Sequence, residues 1–174
     1  MSIDTLTAAV QTYFSGERHE GYAVLAFSAG LVIVAAGLHA AGREGFSGGF
    51  GVAALLLAAL LSSTVISLMR RDAPHEATLV AGLRGRDANA ALATEARRMA
   101  VVIRKYPYYR IAALSLGVLA LAAVALSRRH WVNGAAAGVL LLVVAQVVID
   151  HYSESRATRY AGQLQAALAE RVMP

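Results

Sequence analysis

Four polar side chains crowd the end of one long apolar run. Gln146 lies near the close of Val132–Ile149, and Asp150, His151 and Glu154 follow directly. On a helix their i,i+3 and i,i+4 spacing puts Asp150, His151 and Glu154 on one face. Carboxylates beside an imidazole can bind a divalent metal, gate a pore by titrating near neutral pH, or relay protons. His75 and Glu76, in the polar segment that precedes the third apolar run, are the residues that can join them as metal ligands. Gln146 together with Ser63 and Ser67 can line a polar path or hold a ligand. The competing reading is plainer. Gln146 then makes one interhelical hydrogen bond worth roughly 0.6–2 kcal/mol, and Glu154 pairs with Arg110 or Arg159 at a solvated helix exit.

Other chemistry finds little support. The glycines of 42–51 lie in a turn between apolar runs, not after a strand, so they do not read as a phosphate loop. There is no cysteine, which removes thiol catalysis and thiolate metal sites. Paired histidines invite axial haem ligation. His39 and His130 fall near one face, His75 and His151 near the other, but all lie at or beyond helix ends. No cofactor is expected, and with no second carboxylate or base at membrane depth, no enzymatic activity.

The elements that position these residues are set by composition. The chain has 174 residues, 57% of them hydrophobic, and a mean hydropathy of +0.54. That is far from the balance of a soluble domain. The apolar excess is mostly Ala, Leu and Val without strict alternation, which predicts an all-α, polytopic membrane protein rather than a barrel. A helix needs about 20 apolar residues to cross the hydrocarbon layer. Four runs qualify: Tyr22–Ala41, Phe50–Met69, Ile111–Ser127 and Val132–Ile149. The segments are then 1–21, an amphipathic helix with Ser2 as N-cap; 22–69, a transmembrane hairpin; 70–110, a helical connector; 111–149, a second hairpin; and 150–174, a C-terminal amphipathic helix. Within the first segment Gly16 and Gly21 predict a polar break, and its acidic residues predict that the first span, not a cleaved leader, drives insertion. Within the connector, Glu76–Arg84 reads as a short helix before Gly85. Asp87 reads as the N-cap of a second helix striped by Leu92, Ala96, Met99 and Ile103, and Pro107 as its end.

Charge sets the orientation. With four spans both termini share a side with the connector, and that side holds thirteen of the sixteen Lys and Arg residues. Only Arg43, Arg128 and Arg129 face the other way. The bias predicts cytoplasmic termini in a cell (inner) membrane. Because the basic residues flank apolar runs, the net charge of +5 reads as topology and contact with anionic headgroups, not as nucleic-acid binding. Arg97, Arg98, Arg104 and Lys105 form the surface expected to meet lipid or a cytoplasmic protein partner; the competing reading is a strap packed under the spans.

The halves also resemble each other. Setting Tyr22 on Tyr109 aligns Ser28 with Ser115 and Gly30 with Gly117, and after an offset Leu60-Leu61 meets Leu140-Leu141. Tandem duplication and shared Ala/Leu composition both account for this. Small-residue seams, Gly134-xxx-Gly138 above all, permit close helix approach and a homo-oligomer. The expected function is a non-enzymatic membrane module, a channel, transporter or membrane-complex subunit; the alternative is a scaffold that recruits a partner.

Overall fold

The structure, a computed structural model, describes residues 2–42 and 45–172; Arg43, counted above on the outer side, lies outside them. Four helices follow in order: α1 (Ile3–Ala40), α2 (Phe46–Arg84), α3 (Ala88–Leu126) and α4 (His130–Val172). No strand occurs among the described residues. All four are long and apolar enough to cross a membrane. At 1.5 Å per residue, the 38 residues of α1 span about 57 Å, nearly twice the roughly 30 Å of a hydrocarbon core. Each helix therefore has an apolar half and a second half that must satisfy its polar surface outside the bilayer.

This continuity corrects three sequence expectations. α1 runs through Gly16 and Gly21 without the polar break. The reason is packing: a Cβ at Gly16 would meet the Arg156 side chain at 2.6 Å, and one at Gly21 would meet Met69 Sδ at 3.1 Å. Those glycines bring α4 and α2 against α1. α2 continues through Arg70, Arg71 and Pro74 to Arg84, so Glu76–Arg84 is its last part and not a separate helix. α3 passes through Pro107 instead of ending there. Proline costs one backbone hydrogen bond inside a helix, but buried Tyr106 before it and Ala113, Gly117 and Ala120 after it keep one packed stripe. Asp87 stands at the N-cap position of α3 without a side-chain capping bond, whereas Ser2 does cap α1, its Oγ accepting from the Thr5 N–H at 3.1 Å.

The helices alternate in direction and α2 and α4 run side by side. α1 meets α2 antiparallel, Gly21 near Met69 and Arg18 on Glu76. α3 meets α4 in the same sense, Gly117 against Val143. α2 and α4 cross where Gly49 faces the Trp131 backbone and Gly134 faces the Phe46 backbone. A small core of Leu31, Ala35, Phe50 and Ala54 fills the apolar half. A larger one fills the polar half, with Leu6, Val10, Phe14, Leu83, Leu92, Met99 and Leu164 among its members. Large apolar side chains such as Ile33, Leu56, Val118 and Leu126 point outward from the first layer, as they must in lipid.

Candidate functional site

The polar half holds two ionic clusters, one built on a buried carboxylate and one half-buried. In the first, Glu95 sits with its side chain 1% exposed, placed inward because it is three residues past Leu92 and four before Met99 on the stripe of α3. Arg98, one turn on, donates to both its oxygens, Nε to Oε2 at 2.8 Å and Nη2 to Oε1 at 2.7 Å. His75 of α2 lies 3.0 Å from Oε2, and Tyr160 of α4 donates its hydroxyl to Oε1 at 3.3 Å. The Arg98 guanidinium also stands 5.8 Å over the Phe14 ring of α1, a favourable cation–π placement. Tyr160 stacks on Tyr13 with ring centroids 4.5 Å apart. One carboxylate thus joins α2, α3 and α4, and its partners Arg98 and Tyr160 carry the contact on to α1.

Burial opposes ionisation of Glu95, but Arg98 and His75 outweigh it and hold the carboxyl below its usual range. Burial pushes the hydroxyls of Tyr13 and Tyr160 up, so both stay protonated. The sign for stability follows. A depressed folded pKa stabilises above the ordinary value of 4.5, and that contribution is lost as pH falls through the folded value. Thermal unfolding is therefore expected to show an acid-side loss of stability that Glu95→Gln removes, measured against the same titration of Asp4→Asn, whose carboxyl lies on the exposed first turn of α1.

In the second cluster Arg156 of α4 bridges two carboxylates of α1, with Nη2 2.7 Å from Glu17 and 2.6 Å from Glu20. Ser153 donates to the other oxygen of Glu20. Burial raises the Glu17 pKa, with Arg156 opposing. A pocket of about 60 Å³ opens beside it between α1 and α2, lined by Glu17, Glu20, Val65, Met69 and Asp72.

The residues singled out from sequence disperse around these clusters. Gln146 donates to Asp150 Oδ1 at 2.7 Å and lines a groove of about 240 Å³ between α3 and α4 with Tyr109, Ala112, Leu116 and Val143. Ser63 and Ser67 do not join it. Both are exposed, because the packed face of α2 carries Ala54 and Ala58, and Ser63 satisfies its hydroxyl on the Leu60 carbonyl at 2.9 Å. The shared face of Asp150, His151 and Glu154 also divides. Asp150 is buried, His151 points outward, and Glu154 pairs with Arg110, the first of its two expected partners. His75 goes to Glu95 and Glu76 to Arg18 at 2.5 Å, so neither reaches His151 or Glu154. Among the described residues no group of three or more His, Asp or Glu could hold a metal ion. Of the basic connector, Arg97, Arg104 and Lys105 are exposed. Arg98 is not part of that surface; it is turned inward by Glu95.

Sequence reading missed Glu95, Glu17, Glu20 and Arg156. The signal was present: Glu17 continues the spacing of Tyr13 and Phe14, and Arg156 falls between buried Ser153 and Tyr160. What hid them was the habit of assigning every charge in an amphipathic segment to water. Against this geometry, no protein-family model, curated protein or solved structure matches the chain.

Proposed function

We propose that the protein is a non-enzymatic integral membrane module working as a subunit of an oligomeric membrane complex, its polar half forming a rigid cytoplasmic platform. The observation that carries this reading is the helices' continuity: each passes unbroken from the apolar layer into a bundle tied by buried and half-buried ion pairs. Such a construction transmits position across the membrane boundary and offers little interior space. The platform's exposed cations, Arg97, Arg104 and Lys105, suit anionic headgroups or an acidic protein surface.

The amphipathic segments, the duplicated hairpins and the cytoplasmic termini belong to the same reading. The crossing of α2 and α4 supports a twofold-like relation, since Gly49 opposes Trp131 as Gly134 opposes Phe46. The equivalence this implies, Gly49 with Gly134, is not the register read from Leu60-Leu61 and Leu140-Leu141. An inner-membrane location is proposed on the charge bias alone.

Co-purification from native membranes tests the proposal. Charge reversal of Arg97, Arg104 and Lys105 to Glu is expected to release a partner protein while leaving the thermal midpoint unchanged. A single-chain particle that binds nothing before or after the reversal contradicts it. A permeation role would rest on Gln146 and its groove. It predicts solute flux in proteoliposomes that disappears in Gln146→Leu; a folded oligomer without flux removes it.

A further inference from the structure

Two carboxyl groups and one guanidinium meet where α1 and α4 leave the apolar layer, and a third carboxyl, Asp150, lies close by on α4. Glu17 and Glu20 share Arg156. One helical turn before Ser153 and its bond to Glu20, Asp150 is only 6% exposed. Its Oδ1 accepts from the Gln146 amide, while its buried Oδ2 finds no hydrogen-bond partner among the described residues. The neighbouring cations are committed elsewhere. On α3, Arg110 is held by Glu154 of α4. On α2, Asp72 takes Arg71 and Glu76 takes Arg18 of α1. With every carboxyl ionised, Asp150 would add an uncompensated negative charge beside Glu20, where Glu17 and Glu20 already share one guanidinium, all partly removed from water. Charges so placed demand a counter-charge or neutralisation.

We propose that this cluster is a proton-binding site, with Asp150 Oδ2 the atom that takes up the proton. A proton fits better than a metal ion, because no three carboxylates or imidazoles among the described residues converge as ligands. Asp150 is the carrier because of its donors. Arg156 gives charge-assisted hydrogen bonds to Glu17 and Glu20, which favour their ionised forms, whereas Asp150 receives only a neutral amide. Burial raises its pKa first; Glu20 and Glu154 add to this, and Gln146 and Arg110 oppose it. Protonation forms one O–H bond on Oδ2, the proton coming from a hydronium ion at the aqueous side of Glu20 and returning to water as pH rises. No other bond changes. The net charge at the junction of α1, α3 and α4 then changes by one with pH, which goes beyond the platform role and does not depend on it.

The sign follows from a raised folded pKa. The stabilising contribution is present below the ordinary value of 3.8 and is lost as pH rises through the folded value. Infrared spectroscopy of the full chain in phosphatidylcholine–phosphatidylglycerol nanodiscs reads the proton directly. With carbon-13 carboxyl-labelled aspartate, the wild type is expected to show a label-sensitive protonated-carboxyl band that persists to higher pH than the ordinary aspartate value of 3.8 allows. It should be lost in Asp150→Asn and titrate at lower pH in Glu20→Gln. The labelled wild type can overturn the proposal even if a variant fails to fold. A label-sensitive band that titrates no higher than ordinary aspartate overturns the proposal. So does persistence of the higher-titrating band in folded Asp150→Asn, or a titration that moves with sodium concentration, which would mark a metal-cation site instead.

Discussion

Arg98→Ala is expected to destabilise the protein by about 3–5 kcal/mol, the cost of leaving a buried ion without its partner. Glu95 has its side chain 1% exposed, so water cannot take the place of the two hydrogen bonds that Arg98 supplies. His75 retains one contact, but its side chain is 38% exposed and it donates at one oxygen only. Truncation also removes the guanidinium from the Phe14 ring. Arg98→Lys should recover part of the loss, since it restores charge but not the two-pronged geometry. The double variant Glu95→Leu with Arg98→Met is expected to be more stable than Arg98→Ala, because it leaves no orphaned charge. Thermal unfolding in detergent micelles measures all three. Equal stability of Arg98→Ala and wild type would mean that Glu95 is hydrated or protonated and that α2, α3 and α4 do not converge on it.

Gly134→Ala carries the second large effect. A Cβ there would stand 2.8 Å from the Phe46 carbonyl carbon and 2.9 Å from the Phe50 nitrogen, and one at Gly49 would stand 2.8 Å from the Trp131 carbonyl carbon. Backbone atoms cannot swing aside as a side chain does, so α2 and α4 must separate. Overpacking costs about 1–3 kcal/mol, occasionally more, and the backbone clash puts Gly134→Ala and Gly49→Ala at the upper end. Gly138→Ala meets the Ala53 methyl at 3.1 Å and Phe50 no nearer than 3.7 Å and should cost less. Gly30→Ala meets nothing within 4 Å and should be neutral or slightly stabilising through helix propensity. Thermal midpoints of the four variants are expected in that order. A flat series would remove the close crossing of α2 and α4.

The apolar half of this architecture was legible because lipid imposes a simple rule: about twenty apolar residues make a span. The small-residue seam at Gly134 and Gly138 was legible for the same reason, since only small side chains let helix backbones touch. The polar half was legible in outline and misread in detail. Gly16, Gly21 and Pro107 are ordinary helix-ending signals, and tertiary packing against Arg156, Met69 and the Tyr106–Gly117 stripe overrides each of them. The site residues failed for a different reason. Helical spacing from Leu92 and Met99 places Glu95 inside, yet a charged residue in an amphipathic helix is assigned to water unless its partner is known. That partner set, Arg98, His75 and Tyr160, comes from three helices up to 65 residues apart. Asp150 and His151 show the converse. Their types suggested joint chemistry, but adjacent residues on a helix point about a quarter-turn or more apart, and only Asp150 turns inward.

Amide hydrogen exchange of the full chain in nanodiscs tests the continuous four-helix construction most directly. A bilayer shields only about twenty residues of each helix, so protection beyond them must come from the protein's own packing. Slow exchange is expected to continue through Leu6–Glu20, Asp72–Leu83, Leu92–Tyr106 and Ser153–Leu164, the segments that form the ion-paired bundle. Exchange in those segments at the rate of an unstructured chain, with protection confined to the apolar runs, would contradict it.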